Sequence, residues 1–547
     1  MGCSITDRPP AVALRRSPRT AWEQPSRREF LGRVALAAAS LSGCSSLRAR
    51  TPLDSPPAQA RAPRKVVILG AGLAGLVAAY ELTQAGHDVT ILEARARPGG
   101  RVHTLREPFS DGLHAEAGAL FIPSNHQLTL KYANFFGLPI RPNPPLSAPN
   151  LFYVRGQRVV ADWGPNVEWP FDLTADETKL GVGGMWEKYI RAGLEGLGDV
   201  TAPGWPSDPR LETLDRMSVA EFLRSRGASQ GAVALLRVGF LDLVGDGIDS
   251  YSALLMLRRF ALRRTEALRF SITGGADRLP RAFATTLAAR IRYQSPVVRI
   301  EPGETSARVV IGRDGQHQRL TADHIVCTIP FSVLKSIDVF PSFSPHKARA
   351  VDQLPYTSST RVYLQFRRKA WTSERPYVTA ATDLPMKWVF EHTASQPGPR
   401  GILEAQATGV DGRRVAQMGE SDRVQFALSQ LQRIFPALSG DFERGVSKSW
   451  DEDPWARGAF AYFRPGQMLS LLPHIVRPEG RVHFAGSTRP RGRRGWRGRW
   501  NRASALPARS TRLRPPPGRA SRRSRDAPLL TPRPSQRPGC GGLRGVA

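Results

Sequence analysis

The chain has 547 residues, 41% of them hydrophobic, and a formal net charge of +31. That length exceeds one ordinary domain and allows two or three, each with its own core. The charge is unevenly spread: the last 61 residues, from Ser487 on, hold 17 arginines and one acid, Asp526, and so carry +16 of the excess (17 − 1). Before that tail there is no helix-turn-helix or zinc-finger spacing and no basic stripe with interleaved aromatics, so nucleic acid is not an expected partner. No run of about eighteen apolar residues is present to span a bilayer. Cys3, Cys44, Cys327 and Cys540 are scattered and the 10 histidines form no ligand pattern, so no metal is expected.

In chain order, the first feature is Ser26-Arg27-Arg28-Glu29-Phe30-Leu31, followed by the apolar run Val34 to Leu41 and then Ser42-Gly43-Cys44. A basic pair, a modest apolar core and small residues resemble a bacterial twin-arginine leader, and the ending Leu41-Ser42-Gly43-Cys44 resembles a lipobox with Cys44 as the lipidated residue. Residues 1–45 are therefore expected to export the chain, leaving it periplasmic or anchored to a membrane through Cys44. The Pro-, Ala- and Arg-rich residues 46–63 are expected to form a linker.

Lys65 to Leu69 has the look of a buried parallel strand. It runs into Gly70-Ala71-Gly72-Leu73-Ala74-Gly75, a helical stretch to Ala85, and a second strand, Asp88 to Leu92, that ends in Glu93. Gly70 suits the tight turn, Gly72 admits a pyrophosphate close to the backbone, and Gly75 allows helix and strand to pack. The start of the helix expected over Leu76 to Ala85 offers unpaired N–H groups to the phosphates, and Glu93 stands where a carboxylate accepts from ribose hydroxyls. A lone glycine motif is weak. Strand, glycines, helix, strand and terminal acid in register make dinucleotide binding a strong expectation.

Glu93-Ala94-Arg95-Ala96-Arg97-Pro98-Gly99-Gly100-Arg101 continues from that acid. It resembles the Leu-Glu-Ala…Gly-Gly-Arg signature of the FAD-dependent amine oxidase family, which includes monoamine, polyamine and L-amino-acid oxidases. Further blocks similar to the family's follow in order: Ser271 to Pro280, Val297 to Ile300, Ile325 to Lys335, Trp450 to Gly466 and Val482 to Gly486. The resemblance spans about Arg64 to Gly486. It implies an α/β chain with a discontinuous Rossmann-like FAD-binding domain (64–120, 271–335 and 441–486) and a substrate domain of mixed sheet and helices (121–270 and 336–440). From the residues themselves, Ser218 to Glu221 matches a capping box, Gly231 to Leu243 is apolar enough for a buried helix, and Arg361 to Phe366 alternates like a strand of a second sheet.

The resemblance implies FAD held by Gly70, Gly72, Ala74, Gly75, Glu93, Ala94, Gly99, Gly100, Arg101, Val297 and Gly486. It implies a small-molecule amine as substrate and oxygen as acceptor: hydride leaves the carbon next to nitrogen, the imine hydrolyses, and hydrogen peroxide forms. Ala459 stands where covalently flavinylated relatives carry cysteine, so FAD is expected to be noncovalent. Phe460 replaces one tyrosine of an aromatic cage and, with Phe121, is expected to line the substrate pocket. Gly118-Ala119-Leu120-Phe121 lacks the arginine with which amino-acid oxidases bind a carboxylate, which weighs against amino acids. Lys335 lies near the position of the family's flavin-facing lysine, yet counting back from Pro341 places Asp338 there, so no catalytic residue is assigned. The alternatives are an L-amino-acid oxidase, an FAD enzyme acting on C–C bonds (a desaturase or porphyrinogen-type oxidase), and an inactive remnant or basic binding module.

That last alternative arises from the tail. After Gly486 the family continues with an acid, His-Thr and a Gly-rich helix start, whereas this chain reads Ser487-Thr488-Arg489-Pro490-Arg491-Gly492. Residues 487–547 contain no lysine and are rich in Arg, Pro, Gly, Ser and Ala, as expected of GC-rich DNA read in a shifted frame and of a disordered segment. With permitted codons, one G inserted after the Gly486 codon turns Ser487 to Arg509 into E-H-T-S-A-W-T-T-G-L-E-G-A-L-E-S-G-L-R-A-A-R-E, which resembles the family's ending.

Overall fold

The run Lys-Val-Val-Ile-Leu forms the strand Lys65–Leu69, whose four apolar residues are all fully buried. Val66 and Ile68 pack into one apolar cluster and Val67 and Leu69 into another. A strand covered on both faces is the condition of a parallel sheet interior, and explains the unbroken apolar run. The computed structural model describes residues 62–143, 151–160, 167–202, 204–263, 268–313, 315–373 and 379–486. The expected leader with Cys44, nearly all of the expected linker and the whole tail beyond Gly486 lie outside the described residues.

Lys65–Leu69 is the middle strand of a five-stranded parallel sheet in the order Ile291–Arg292, Asp88–Leu92, Lys65–Leu69, His324–Cys327, Val482–Phe484. These strands come from three separate stretches of chain, matching the expected discontinuity. The helix Leu73–Gln84 crosses back over this sheet and packs, with Arg278–Thr286, on the Val66 and Ile68 face. Val297–Glu301 opens a four-stranded sheet on the opposite face.

A seven-stranded sheet runs Phe442–Ser449, Ser359–Phe366, Gly401–Thr408, Trp388–Glu391, Thr379–Thr382, Leu151–Val154, Gln157–Val160. In Ser359–Phe366, Val362, Leu364 and Phe366 face the helices Gly409–Ala416 and Glu420–Ile434, burying themselves among Val424, Leu428 and Leu431. The alternate residues Arg361 and Tyr363 face the strand Ala115–Glu116 and the bend after it instead, as the two-residue period of a strand requires. Phe442–Ser449, which the sequence division grouped with the FAD-binding stretches, pairs antiparallel with Ser359–Phe366 along its length, so the second sheet extends past 441.

Local expectations hold where a cap or a period defines them. Ser218 caps Val219–Ser225 with the reciprocal Ser218–Glu221 bonds of a capping box. The helix expected over Gly231 to Leu243 instead ends at Arg237: Gly239, at φ +108°, breaks it, and a single 3-10 turn, Phe240–Leu243, follows. Apolarity alone did not show that break.

Candidate functional site

The glycine turn after Lys65–Leu69 is shaped by what surrounds each glycine. Gly70 sits at φ +103°, left-handed backbone that favours glycine, and a Cβ there would lie 2.8 Å from Thr328 Oγ1. A Cβ on Gly75 would fall 2.0 Å from the Gly70 carbonyl oxygen, so this glycine lets the helix close onto the turn. Gly72, the N-cap of Leu73–Gln84, is extended (φ −67°, ψ 169°), makes no side-chain cap bond, and has no protein atom within 4 Å of where a Cβ would stand. Its open side faces a cavity.

Glu93 holds the turn from below. Its buried carboxylate accepts from Ala71 N at 2.7 Å and from Arg95 N at 2.9 Å. The stretch after it folds back over the turn: Gly99 N donates to Ala71 O at 2.9 Å, and Gly99 and Gly100 take φ +101° and +56°. Arg101 is brought beneath them, where its Nη1 donates to the Ala459 carbonyl, and burial pushes its guanidinium below its ordinary value. Arg95 pairs with Asp453, which also accepts from Lys448 Nζ at 2.9 Å. The Trp450 indole is buried and donates to Ala117 O at 2.9 Å. The Arg101–Ala459 and Arg95–Asp453 bonds lock the two distant signature stretches, 93–101 and 450–459, to each other.

One cavity of about 2010 Å³ is lined by Gly70, Gly72, Ala74, Glu93, Ala94, Gly99, Gly100, Arg101, Val297, Phe460 and Gly486 among others. Ligand pockets are commonly about 300–1,000 Å³, so this one has room for a large cofactor and a substrate together. Of the residues expected to hold FAD, Gly75 alone is off the wall, packed beneath the turn. The fit to a dinucleotide is direct: an uncapped helix N-terminus and an open Gly72 on a cavity wall admit a diphosphate, which backbone N–H groups and the helix dipole favour. Ala459, on the same wall, offers no sulfur for a covalent link.

Other expectations are redirected. Phe121 is not on the wall: it packs edge-on against Phe390, ring centroids 5.6 Å apart, because Ile122–Pro123 turns away to pair with the strand Arg269–Ile272. Asp338 also points elsewhere, pairing with Arg299 at 3.1 Å on the strand Asp338–Val339. Ser336 occupies the wall instead, accepting a 2.6 Å bond from Arg457 Nη1. Lys335 is not among the lining residues.

Sequence reasoning assigned no site role to three further parts of the wall. Residues 199–202 with Gly204 and Trp205 form one side, and Arg258, from the helix Ala253–Arg263, reaches it with its guanidinium over the Trp205 ring at 5.0 Å. Arg361 reaches the wall from the seven-stranded sheet; the alternation of its strand was legible, its destination was not.

Residues 73–493 match the family model of flavin-containing amine oxidoreductases. The chain is 34% identical over 442 residues to a putative L-amino-acid oxidase, YobN, of Bacillus subtilis (strain 168), covering 78% of this chain and 90% of that protein. It is 30% identical over 433 residues to the L-amino-acid oxidase of Siganus canaliculatus, covering 77% and 80%. Among solved structures, cyclohexylamine oxidase from Brevibacterium oxydans IH-35A shares the fold at TM-score 0.66 and 22% identity, over 78% of this chain and 94% of that one. Wild-type putrescine oxidase bound to putrescine does so at TM-score 0.64 and 20% identity, over 78% and 96%. The signature, the cavity and the match over most of the chain agree: this protein belongs to the flavin-containing amine oxidoreductase family, and its cofactor is FAD.

Proposed function

We propose that the protein removes hydride from the carbon next to an amine nitrogen, giving an imine that water hydrolyses, with oxygen accepting the electrons as hydrogen peroxide. The observation that carries this reading is the single cavity in which the glycine turn and the Phe460 wall are continuous. FAD, when bound, supplies the two-electron acceptor. The chain's own residues bind and orient: Gly72 and the helix start take the diphosphate, Glu93 orders the turn, Arg101 braces Ala459, and Phe460 offers an apolar face to the substrate. Anaerobic mixing of the FAD-loaded protein with a panel of amines and amino acids should bleach the visible flavin absorbance, and air should restore it with release of peroxide. Failure of every amine and amino acid to bleach a flavin that dithionite does reduce would turn the reading toward a C–C substrate.

Two parts of the proposal rest on residue pattern. Arg27-Arg28 before an apolar run supports export of the folded, cofactor-loaded chain, and Cys44 supports lipid anchoring. The composition after Gly486 supports a shifted reading frame.

A further inference from the structure

The wall contributed by segments 121–270 and 336–440 carries three charged side chains, Asp199, Arg258 and Arg361. Asp199 is turned inward on its own loop, accepting from Thr201 N and Oγ1 at 2.9 and 2.6 Å. Arg361 is held differently. Its Nη1 donates to Gly118 O at 3.2 Å, its Nε lies 3.3 Å from Glu404 Oε1 yet makes no hydrogen bond, and its side chain is only 13% exposed. Behind it, the buried Glu404 takes a 2.6 Å contact from His392 Nε2, while His392 Nδ1 accepts from Glu116 N at 3.3 Å. The second bond makes Nδ1 an acceptor and therefore puts the ring proton on Nε2, donating to Glu404. Burial pushes the Glu404 carboxyl up, but Arg361 and His392 outweigh it and hold it below its ordinary value.

A guanidinium fixed from behind by a carboxylate that a histidine shares, and presented on a cavity wall, has the geometry for bidentate capture of a second carboxylate. Such a wall repels a substrate with a second ammonium group and attracts one with an acid. Building on the proposed amine oxidation, we infer that Arg361 is a substrate-binding residue for a carboxylate, so that the enzyme acts on amino acids in preference to the corresponding simple amines. This supplies, from a neighbouring strand that reaches the Gly118 carbonyl, the arginine that the stretch after Gly118 lacks. It reverses the weight that the sequence placed against amino acids.

The test uses the full chain with excess FAD and a matched pair, L-leucine and 3-methylbutylamine, which differ by the carboxylate. The ratio of their kcat/KM values should favour leucine at least tenfold. Charge-assisted hydrogen bonds of the usual strength correspond to a loss of that ratio of about 10- to 100-fold in Arg361→Met/Glu404→Gln, a double variant that leaves no buried charge unpaired. Arg361→Lys keeps the charge without the fork, should lose part of the ratio, and decides the matter if the double variant fails to fold. Calorimetric binding of benzoate to the same proteins gives a readout independent of turnover, and should weaken in both variants. A wild-type ratio near one, or a ratio and benzoate affinity that neither variant moves, overturns the inference. If neither substrate reduces the flavin, the oxidation reading is decided by the wider panel of amines and amino acids, and benzoate binding alone decides whether Arg361 binds a carboxylate.

Discussion

At Gly72 the backbone is extended and nothing in the protein stands within 4 Å of a Cβ, whereas three residues on, at Gly75, a Cβ would meet the Gly70 carbonyl at 2.0 Å. The two glycines should therefore answer substitution in opposite ways. Gly72→Val puts its side chain only where the cofactor's diphosphate approaches, so the variant should keep its far-ultraviolet dichroism and its melting temperature without cofactor, yet lose bound flavin. Gly75→Ala forces helix and turn apart, at a cost of about 1–3 kcal/mol, and should lose stability as well as flavin. Flavin absorbance per protein and thermal unfolding without added FAD separate the two. A Gly72→Val protein with its full flavin content would sink the cofactor assignment. The motif already gave the two glycines different tasks; the position of Gly70 in space adds the atom that crowds Gly75.

Among the elements, the join between the helices Ala175–Tyr189 and Gln230–Arg237 turns on one side chain. Glu177 closes the capping box with Thr174 and, almost wholly buried, also accepts from Ser229 N at 2.9 Å, Ser229 Oγ at 2.6 Å and Tyr189 OH at 2.9 Å. Burial pushes this carboxyl up, but the bonds from Ser229, Thr174 and Tyr189 prevail and bring it down from 4.5 to about 2. Because the folded value lies below the unfolded one, the stabilisation is fully present above pH 4.5 and is lost as pH falls through about 2. Glu177→Gln should lower stability at neutral pH by about 1–3 kcal/mol, and the difference from wild type should shrink steadily on acidification below pH 4.5. Denaturant midpoints measured along that pH series check it; a constant difference would show that the carboxylate's charge is irrelevant. The tie from Glu177 to Ser229, 52 residues away, is one that no local pattern encodes.

For the whole molecule, the predictions concern the two ends. Replacing Arg27 and Arg28 by lysine should stop a reporter fused to the leader from leaving the cytoplasm; export at the original rate would refute the twin-arginine reading. At the other end, Gly486 stands on the cavity wall, so the residues encoded directly after it bear on cofactor retention. A gene with one G inserted after the Gly486 codon should therefore give a protein that retains FAD more tightly and turns over faster than the chain as written. Equal flavin retention and equal turnover in the two versions would refute the proposed effect of a shifted frame after Gly486.

What the sequence determined by itself was whatever depends on neighbours along the chain. The strand, glycine turn, helix and acid from Lys65 to Glu93 each rest on local sterics and on the two-fold or helical period of burial, and they appear where they were read, with the cofactor class following from Glu93 to Arg101. The tertiary structure decided what depends on residues far apart. It moved Phe121 and Asp338 off the wall, broke the apolar run at Gly239, carried Phe442–Ser449 into the second sheet, and set Arg361 beside Gly118. A strand's period says which residues share a face but not what that face meets. For Arg361 the answer came from a loop 243 residues earlier, packed against its sheet by bonds that no local pattern encodes.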